Sequence, residues 1–266
     1  MPEIWFIISY LGLGAVVGFF AGLLGVGGGG IMVPLLTGLF VAQGFAHDHV
    51  VHIALATSMA AIIFTSISSA WSQHKRQAVL WPIVFQISPG IIVGTFASAY
   101  FVSFIPTQAL AIVFAVFMAL ISLQMVLNKK SKPTRQLPKA AGMSFVGSVI
   151  GALSALIAIG GGSLSVPFLT WCNVPMKKAI ATSSGIGFFI AVFAVIGYFV
   201  SGSQQQGLPS LSSGYIYWPA VFLISIVSVF TAPVGVKMAH KLPVPLLKKV
   251  FAILLMSLSI KMLLTI

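Results

Sequence analysis

Carboxylates are nearly missing from this chain: Glu3 and Asp48 are its only two acids, against 14 lysines and arginines in 266 residues. A relay of Asp and Glu side chains through a membrane is therefore excluded. A coupling H+ would have to ride on a histidine or on the substrate, and a coupling Na+ would find only carbonyl and hydroxyl oxygens. Cysteine is as scarce. Cys172 stands alone, which excludes an intramolecular disulfide and a cysteine-based zinc site, and it reads as a small buried hydrophobe. Charged residues make up 6% of the chain and hydrophobic residues 59%, a balance that excludes a soluble globular domain. A net charge of +12 would suggest nucleic acid in a soluble protein. Here the bases sit between apolar stretches, where the positive-inside bias accounts for them, so lipid is the expected surroundings and nucleic acid is not an expected partner.

Glycine, by contrast, is concentrated in two matching runs. Residues 22–36 read GLLGVGGGGIMVPLL and residues 155–169 read ALIAIGGGSLSVPFL, with Pro34 opposite Pro167. Each glycine costs a helix about 1 kcal/mol relative to alanine, so these runs should interrupt helices whose flanks are apolar enough for lipid. Unwound backbone at membrane depth survives only where protein covers it or where it lines a cavity. Paired interruptions in corresponding halves point to a transporter's substrate site. The plainer alternative is that the glycines only let helices pack closely.

The spacing predicts an all-α polytopic membrane protein of two halves with five segments each. In the first half these are residues 4–24, 31–41, 49–72, 79–103 and 107–127; in the second they are 139–159, 163–172, 176–200, 216–239 and 244–264. The first segment has no basic residue before it and no cleavage-site pattern after it, so it is not expected to be removed as a signal peptide. Trp81-Pro82 aligns with Trp218-Pro219, and from there the halves match without a gap to Leu127 and Leu264. Ala56-Thr57-Ser58 recurs as Ala181-Thr182-Ser183. An internal repeat follows, with residues 1–127 and 140–266 as the two halves and the basic stretch 128–139 as a cytoplasmic linker.

Charge distinguishes parallel from inverted repeats. If each broken pair enters and leaves on one side, the halves are inverted. Lys75, Arg76, the linker bases, Lys177, Lys178, Lys237, Lys241, Lys248 and Lys249 then all face the cytoplasm, with only Lys261 near the outer face. A parallel arrangement would send the 177–178 and 237–249 bases outside, against the positive-inside bias. Inversion is expected, with glycine-broken hairpins meeting near the midplane and with Glu3, Asp48 and the uncharged loop 201–214 outside.

A half-helix starting after each run, at Ile31 and at Ser163 or Leu164, would aim its amides and positive dipole end at the break, a geometry suited to a small anion. Candidate substrate contacts are therefore Gly27, Gly28, Gly29, Gly30, Gly160, Gly161, Gly162 and Ser163, completed by hydroxyls of Thr57, Ser58, Thr182 and Ser183. Ser184 belongs to the same group of hydroxyls; serine and threonine in membrane helices also bond back to their own helix, which is the competing use, and Gln86 and Gln124 are weaker candidates. His47, Asp48, His49 and His52 resemble a metal cluster, but a polar loop with Asp48 as N-cap of the next helix accounts for them, so no metal or cofactor is expected. A serine hydrolase built on Ser163 lacks a base, because no histidine falls inside a predicted helix core, and an enzyme is not expected.

With these motifs in view, GVGGGGIMVPLL, AIGGGSLSVPFL and the Ala-x-x-Thr-Ser pairs at 54–58 and 179–183, the chain resembles the TauE/SafE transporters, also called the sulfite exporter or toluene sulfonate uptake family. The resemblance spans nearly the whole chain. It implies a bacterial inner-membrane carrier of small sulfur anions such as sulfite, sulfonates or sulfoacetate, with the glycine runs and Thr-Ser motifs lining the substrate path. An anion channel and a membrane-embedded binding or assembly subunit stand as alternatives. Ser163 where the first copy has Gly30 makes the half-sites chemically unequal.

Overall fold

The computed structural model describes residues 3–25, 27–127, 136–239, 241 and 244–265, with the side chains of 244–248 and 250 excepted; most of the expected linker, residues 128–135, lies outside them. Helices appear in the expected order: α1 (Ile4–Leu24), α2 (Gly29–Ala42), α3 (Val50–His74), α4 (Trp81–Phe101), α5 (Thr107–Leu127), α6 (Ala140–Leu156), α7 (Gly162–Trp171), α8 (Met176–Gly202), α9 (Trp218–Ala239) and α10 (Val244–Thr265). Pro82 and Pro219 open α4 and α9 at the second helical position, where a missing N–H costs nothing. One short hairpin, Ser212–Ser213 paired with Ile216–Tyr217, was not foreseen.

Six helices, α1, α3, α4, α5, α8 and α9, are long and apolar enough to cross a membrane. The outside of the bundle is greasy: Phe104, Phe145 and Phe230 are 72%, 72% and 75% exposed. Such a surface would aggregate in water and is at home in lipid. The protein is an all-α, multi-pass membrane protein. At its centre lie α3 and α8, whose sides carry the buried Ala-Thr-Ser motifs.

Contacts between helices fix their directions. Gly14 lies against Ile224 and Gly22 against Ala232, so α1 and α9 run parallel; Gly90 lies against Ser144 and Ser98 Oγ donates to Ala152 O at 2.9 Å, so α4 and α6 do too. The Leu80 amide meets Thr182 and Ser201 meets Ala99, aligning α4 with α8, while Tyr217 meets Thr57 and Ser228 meets Thr65, aligning α9 with α3. Ser69 near the end of α3 pairs with Ser184 near the start of α8 at 3.1 Å, so these two are antiparallel.

Several of these bonds come in reciprocal pairs. Ser122 Oγ donates to Ala252 O (2.7 Å) and its repeat equivalent Ser259 donates to Ala115 O (2.8 Å), Ala115 and Ala252 being equivalents themselves. Reciprocity of this kind is what a two-fold relation between halves produces. The same directions sort the charges. The start of α3, the start of α9 and the loop with Asp48 share one end of the bundle; Lys75, Arg76, Lys139, Lys177, Lys178, Lys237 and Lys241 gather at the other, all exposed.

Candidate functional site

Each break is set by backbone handedness. Gly25, which ends α1, and Ala158, which follows α6, both have left-handed φ, +67° and +44°; Gly28 and Gly161, the N-cap residues of α2 and α7, have +80° and +79°. The left-handed region costs an L-residue about 1–2 kcal/mol, which glycine escapes and Ala158 bears. The unwound stretch is shorter than the sequence suggests. Gly29, Gly30, Gly162 and Ser163 are already helical, so α2 begins two residues before the expected Ile31 and α7 one before Ser163. Gly29 is needed for proximity rather than flexibility: a Cβ there would collide with the Ala158 carbonyl of the opposite break.

The two breaks touch. A Cβ on Gly27 would lie 2.7 Å from Gly160 Cα, and one on Gly187 of α8 would lie 2.5 Å from Gly160 O. Ile62, the middle residue of α3, packs over Gly27 and Gly29, so the meeting point is halfway along the central helix. Here the amides divide into two groups. Ile31 and Met32 both donate to Gly28 O at 3.1 Å, and Leu164 and Ser165 donate to Gly161 O at 3.1 and 2.8 Å. The amides of Gly29 and Gly30 in α2, and of Gly162 and Ser163 in α7, find no backbone acceptor among the described residues, and neither helix has a capping side chain. Both starts are buried. A buried, uncapped helix start is costly unless something else accepts its hydrogen bonds. Each also presents about half a positive charge, so a small anion is the natural acceptor.

Of the hydroxyls expected here, Thr57 and Thr182 have structural partners. Thr57 Oγ1 accepts the Tyr217 amide at the head of α9, and Thr182 Oγ1 accepts the Leu80 amide at the head of α4, both at 3.1 Å. Each half thus caps a helix of the other. Accepting leaves each threonine its own proton. Loss of the acceptor strands a sheltered amide, so Thr57→Val and Thr182→Val should each destabilise the fold by about 1–3 kcal/mol, with Thr→Ser restoring it, read by thermal unfolding in detergent. Ser183 Oγ donates to Ile180 O (2.7 Å) and lies 3.1 Å from Gly25 O. Ser58 and Ser163 differ: both hydroxyls are buried and have no partner. Ser165, Ser154 and Thr95 share that state and were not singled out from sequence, since a lone hydroxyl in an apolar run carries no signal of its own. Gln86 and Gln124 are exposed on the periphery, away from the breaks.

At the end of the bundle bearing Asp48, His47 is exposed as a polar loop would have it, but His52 is interior. His49, not Asp48, is the N-cap residue of α3, and His52 lies buried in its first turn with Nε2 3.2 Å from Val102 O and Nδ1 3.3 Å from Thr107 Oγ1. Thr107 in turn donates to the Asp48 carbonyl. Tyr215 of the hairpin stacks on His52 with ring centres 5.0 Å apart, and Tyr217 packs edge-on to Phe40 and Phe45. Burial raises both tyrosine hydroxyls above their ordinary pKa. The hairpin thereby closes this end over α2 and α3. Among the described residues no group of three His, Cys, Asp or Glu side chains could hold a metal.

Comparison with known proteins accords with this architecture. The family described as "Sulfite exporter TauE/SafE" matches residues 10–262. The chain belongs to the TauE/SafE family. Among its relatives is a "Probable membrane transporter protein" of Haemophilus influenzae, 36% identical over 258 residues that cover 97% of this chain and 98% of the relative. Proteins of the same description are 31% identical over 214 residues in Bacillus subtilis (71% of this chain, 77% of the relative) and 26% identical over 232 residues in Methanocaldococcus jannaschii (86% and 85%). No solved structure matches. As a TauE/SafE protein with six helices able to cross a bilayer, the chain is a multi-pass membrane transporter, consistent with a place in the cell inner membrane.

Proposed function

We propose that this TauE/SafE protein is a secondary carrier of a small sulfur-containing anion, of the sulfite, sulfonate or sulfoacetate type, working by alternating access between two inverted halves. The observation that carries the proposal is the pair of buried, uncapped helix starts at Gly29–Gly30 and Gly162–Ser163, brought together where Gly27 meets Gly160. Four amides without a backbone acceptor among the described residues, and two converging dipoles, suit a group that is anionic, compact and rich in acceptor oxygens. The antiparallel course of α3 against α8, and the reciprocal Ser122 and Ser259 bonds, support inversion. One half rocking against the other about this point would expose the anion to each side in turn.

Purified protein should be stabilised against heat by its anion in proportion to RT ln(1 + [L]/Kd), about 2.7 kcal/mol at a hundred-fold excess over Kd. A screen of sulfite, taurine, sulfoacetate, sulfate and phosphate is expected to give its largest shifts with sulfur anions; shifts with none, together with no flux in liposomes, would favour an assembly subunit. Saturable flux with counter-flow separates a carrier from a channel. For topology, a cysteine replacing Gln205 should react with an impermeant reagent from outside the cell and one replacing Gln77 only from inside. Reaction of both from one side would restore the parallel arrangement.

A further inference from the structure

Helices α5 and α10 form a pair that is itself nearly symmetric. Ser122 of α5 bonds Ala252 of α10 and Ser259 of α10 bonds Ala115 of α5, at 2.7 and 2.8 Å, so the pair lies across the two-fold relation between the halves. By that symmetry it could lean on α2 or on the repeat equivalent α7 equally well. It leans on α2. A Cβ on Gly30, at the start of α2, would meet Leu255 Cδ2 at 3.0 Å, and one on Gly38, two turns further, would lie 3.9 Å from Lys261 Cε, so α2 follows α10 outward from the break. Under the repeat, Gly38 corresponds to Trp171 and Lys261 to Gln124. Trp171 is 39% exposed, Gln124 is exposed, and among the described residues α7 makes no packing contact with α5 comparable to that of α2 with α10.

The two ends of the bundle differ in the same sense. Helix α7 stops at Trp171, whereas α2 continues past the equivalent Gly38 to Ala42, and this added turn carries Phe40. Phe40 is fully buried and stacks on Phe45 with ring centres 4.8 Å apart, while Tyr217 meets both rings edge-on at 5.7 and 5.1 Å. These rings tie α2 to the head of α9, in the other half. At the basic end the matching positions hold Asn173, which is exposed, and Leu80, which is half-buried. The hairpin that presents Tyr217 also falls in a connection that is longer in the second half: Trp218 follows Thr182 at a greater distance than Trp81 follows Thr57.

We propose that Phe40, Phe45 and Tyr217 are the outer gate of the transport path, shut in this structure, and that when it opens the α5/α10 pair passes from α2 to α7, bringing Trp171 beside Gln124. This rests on the transport reading above and names the parts that move. A pair held by its own reciprocal bonds can shift as a unit, and exchanging one packed helix for its repeat equivalent gives two arrangements of similar internal contacts. The aromatic rings then decide which arrangement prevails.

The test uses purified full-length protein carrying Cys172→Ala, so that an introduced pair supplies the only thiols, treated with a short bismaleimide. Gly38→Cys with Lys261→Cys should be bridged readily, and Trp171→Cys with Gln124→Cys slowly. Lys261, Trp171 and Gln124 are exposed and Gly38 has room for a Cβ, so these variants should fold. Phe45→Ala, or the milder Phe40→Leu, removes part of the ring contact, and aromatic pairs are worth about a two- to ten-fold shift in a two-state equilibrium. In either background the first bridge should form more slowly and the second faster, by a factor of that order. Equal bridging of both pairs behind the intact gate, or unchanged rates in whichever gate variant stays monodisperse, would overturn the proposal even if anion flux is found. Bridging as expected, with no flux of sulfite or any other screened anion in liposomes, would uphold the moving parts and remove the carrier reading instead.

Discussion

A methyl group on Gly29 is expected to reduce transport to background, whereas the same group on the adjacent Gly30 is expected to leave the fold intact. The Cβ of an alanine at position 29 would be driven into the Ala158 carbonyl, which belongs to backbone already held in a left-handed conformation and cannot turn aside. At position 30 the nearest atoms are the ends of Leu255 and Met118, which can change rotamer. Intrinsic helix propensity favours alanine at both positions by about 1 kcal/mol, so it cannot explain a difference between them. Measuring substrate flux and monodispersity for the two variants side by side checks this. Equal tolerance would mean that the breaks are not in contact during transport.

The second large effect concerns the seams between halves. Gly14, Gly18 and Gly22 let α1 lie against the backbone of α9, and Gly90 and Gly94 do the same for α4 against α6. Small residues at four-residue spacing are how membrane helices gain contact without a hydrophobic driving force. Leucine at Gly22 or Gly94 would have to displace backbone carbonyls of Ala232 or Ser148, and each should cost more than the roughly 1–3 kcal/mol of ordinary overpacking. Set against a typical total of about 5–15 kcal/mol, this is a large fraction of the stability, and recovery of monodisperse protein from detergent should fall clearly below wild type. Gly12→Leu is the control: nothing lies within 4 Å of a Cβ there, and recovery should be normal.

Much of this architecture was legible in the residues. The order of ten helices follows from apolar runs punctuated by glycine, proline and charge, and α1 and α5 coincide with the expected ranges at both ends. The duplicated Val-Pro and Ala-Thr-Ser motifs place the two breaks and the hydroxyls beside them. What escaped was information carried between segments. The Thr57 and Thr182 motif pointed to ligation, but each hydroxyl also caps a helix of the opposite half, a pairing no local pattern encodes. The hairpin at Ser212–Tyr217 lies in a polar stretch without strand alternation and is set by Tyr215 and Tyr217 packing on α2 and α3. His52 looked like part of a loop because only its distant partners Val102 and Thr107 make it interior. The glycine seams stand at four-residue spacing, but spacing alone does not say which helix each glycine faces, and that pairing joins segments distant in sequence.

An experimental structure with a brominated small sulfonate bound would test the site most directly. The account predicts sulfonate oxygens within hydrogen-bonding reach of the amides at the starts of α2 and α7, where Gly27 meets Gly160. Sulfonate held instead by the exposed lysines at the end of the bundle, with the helix starts at Gly29 and Gly162 still unliganded, would contradict it.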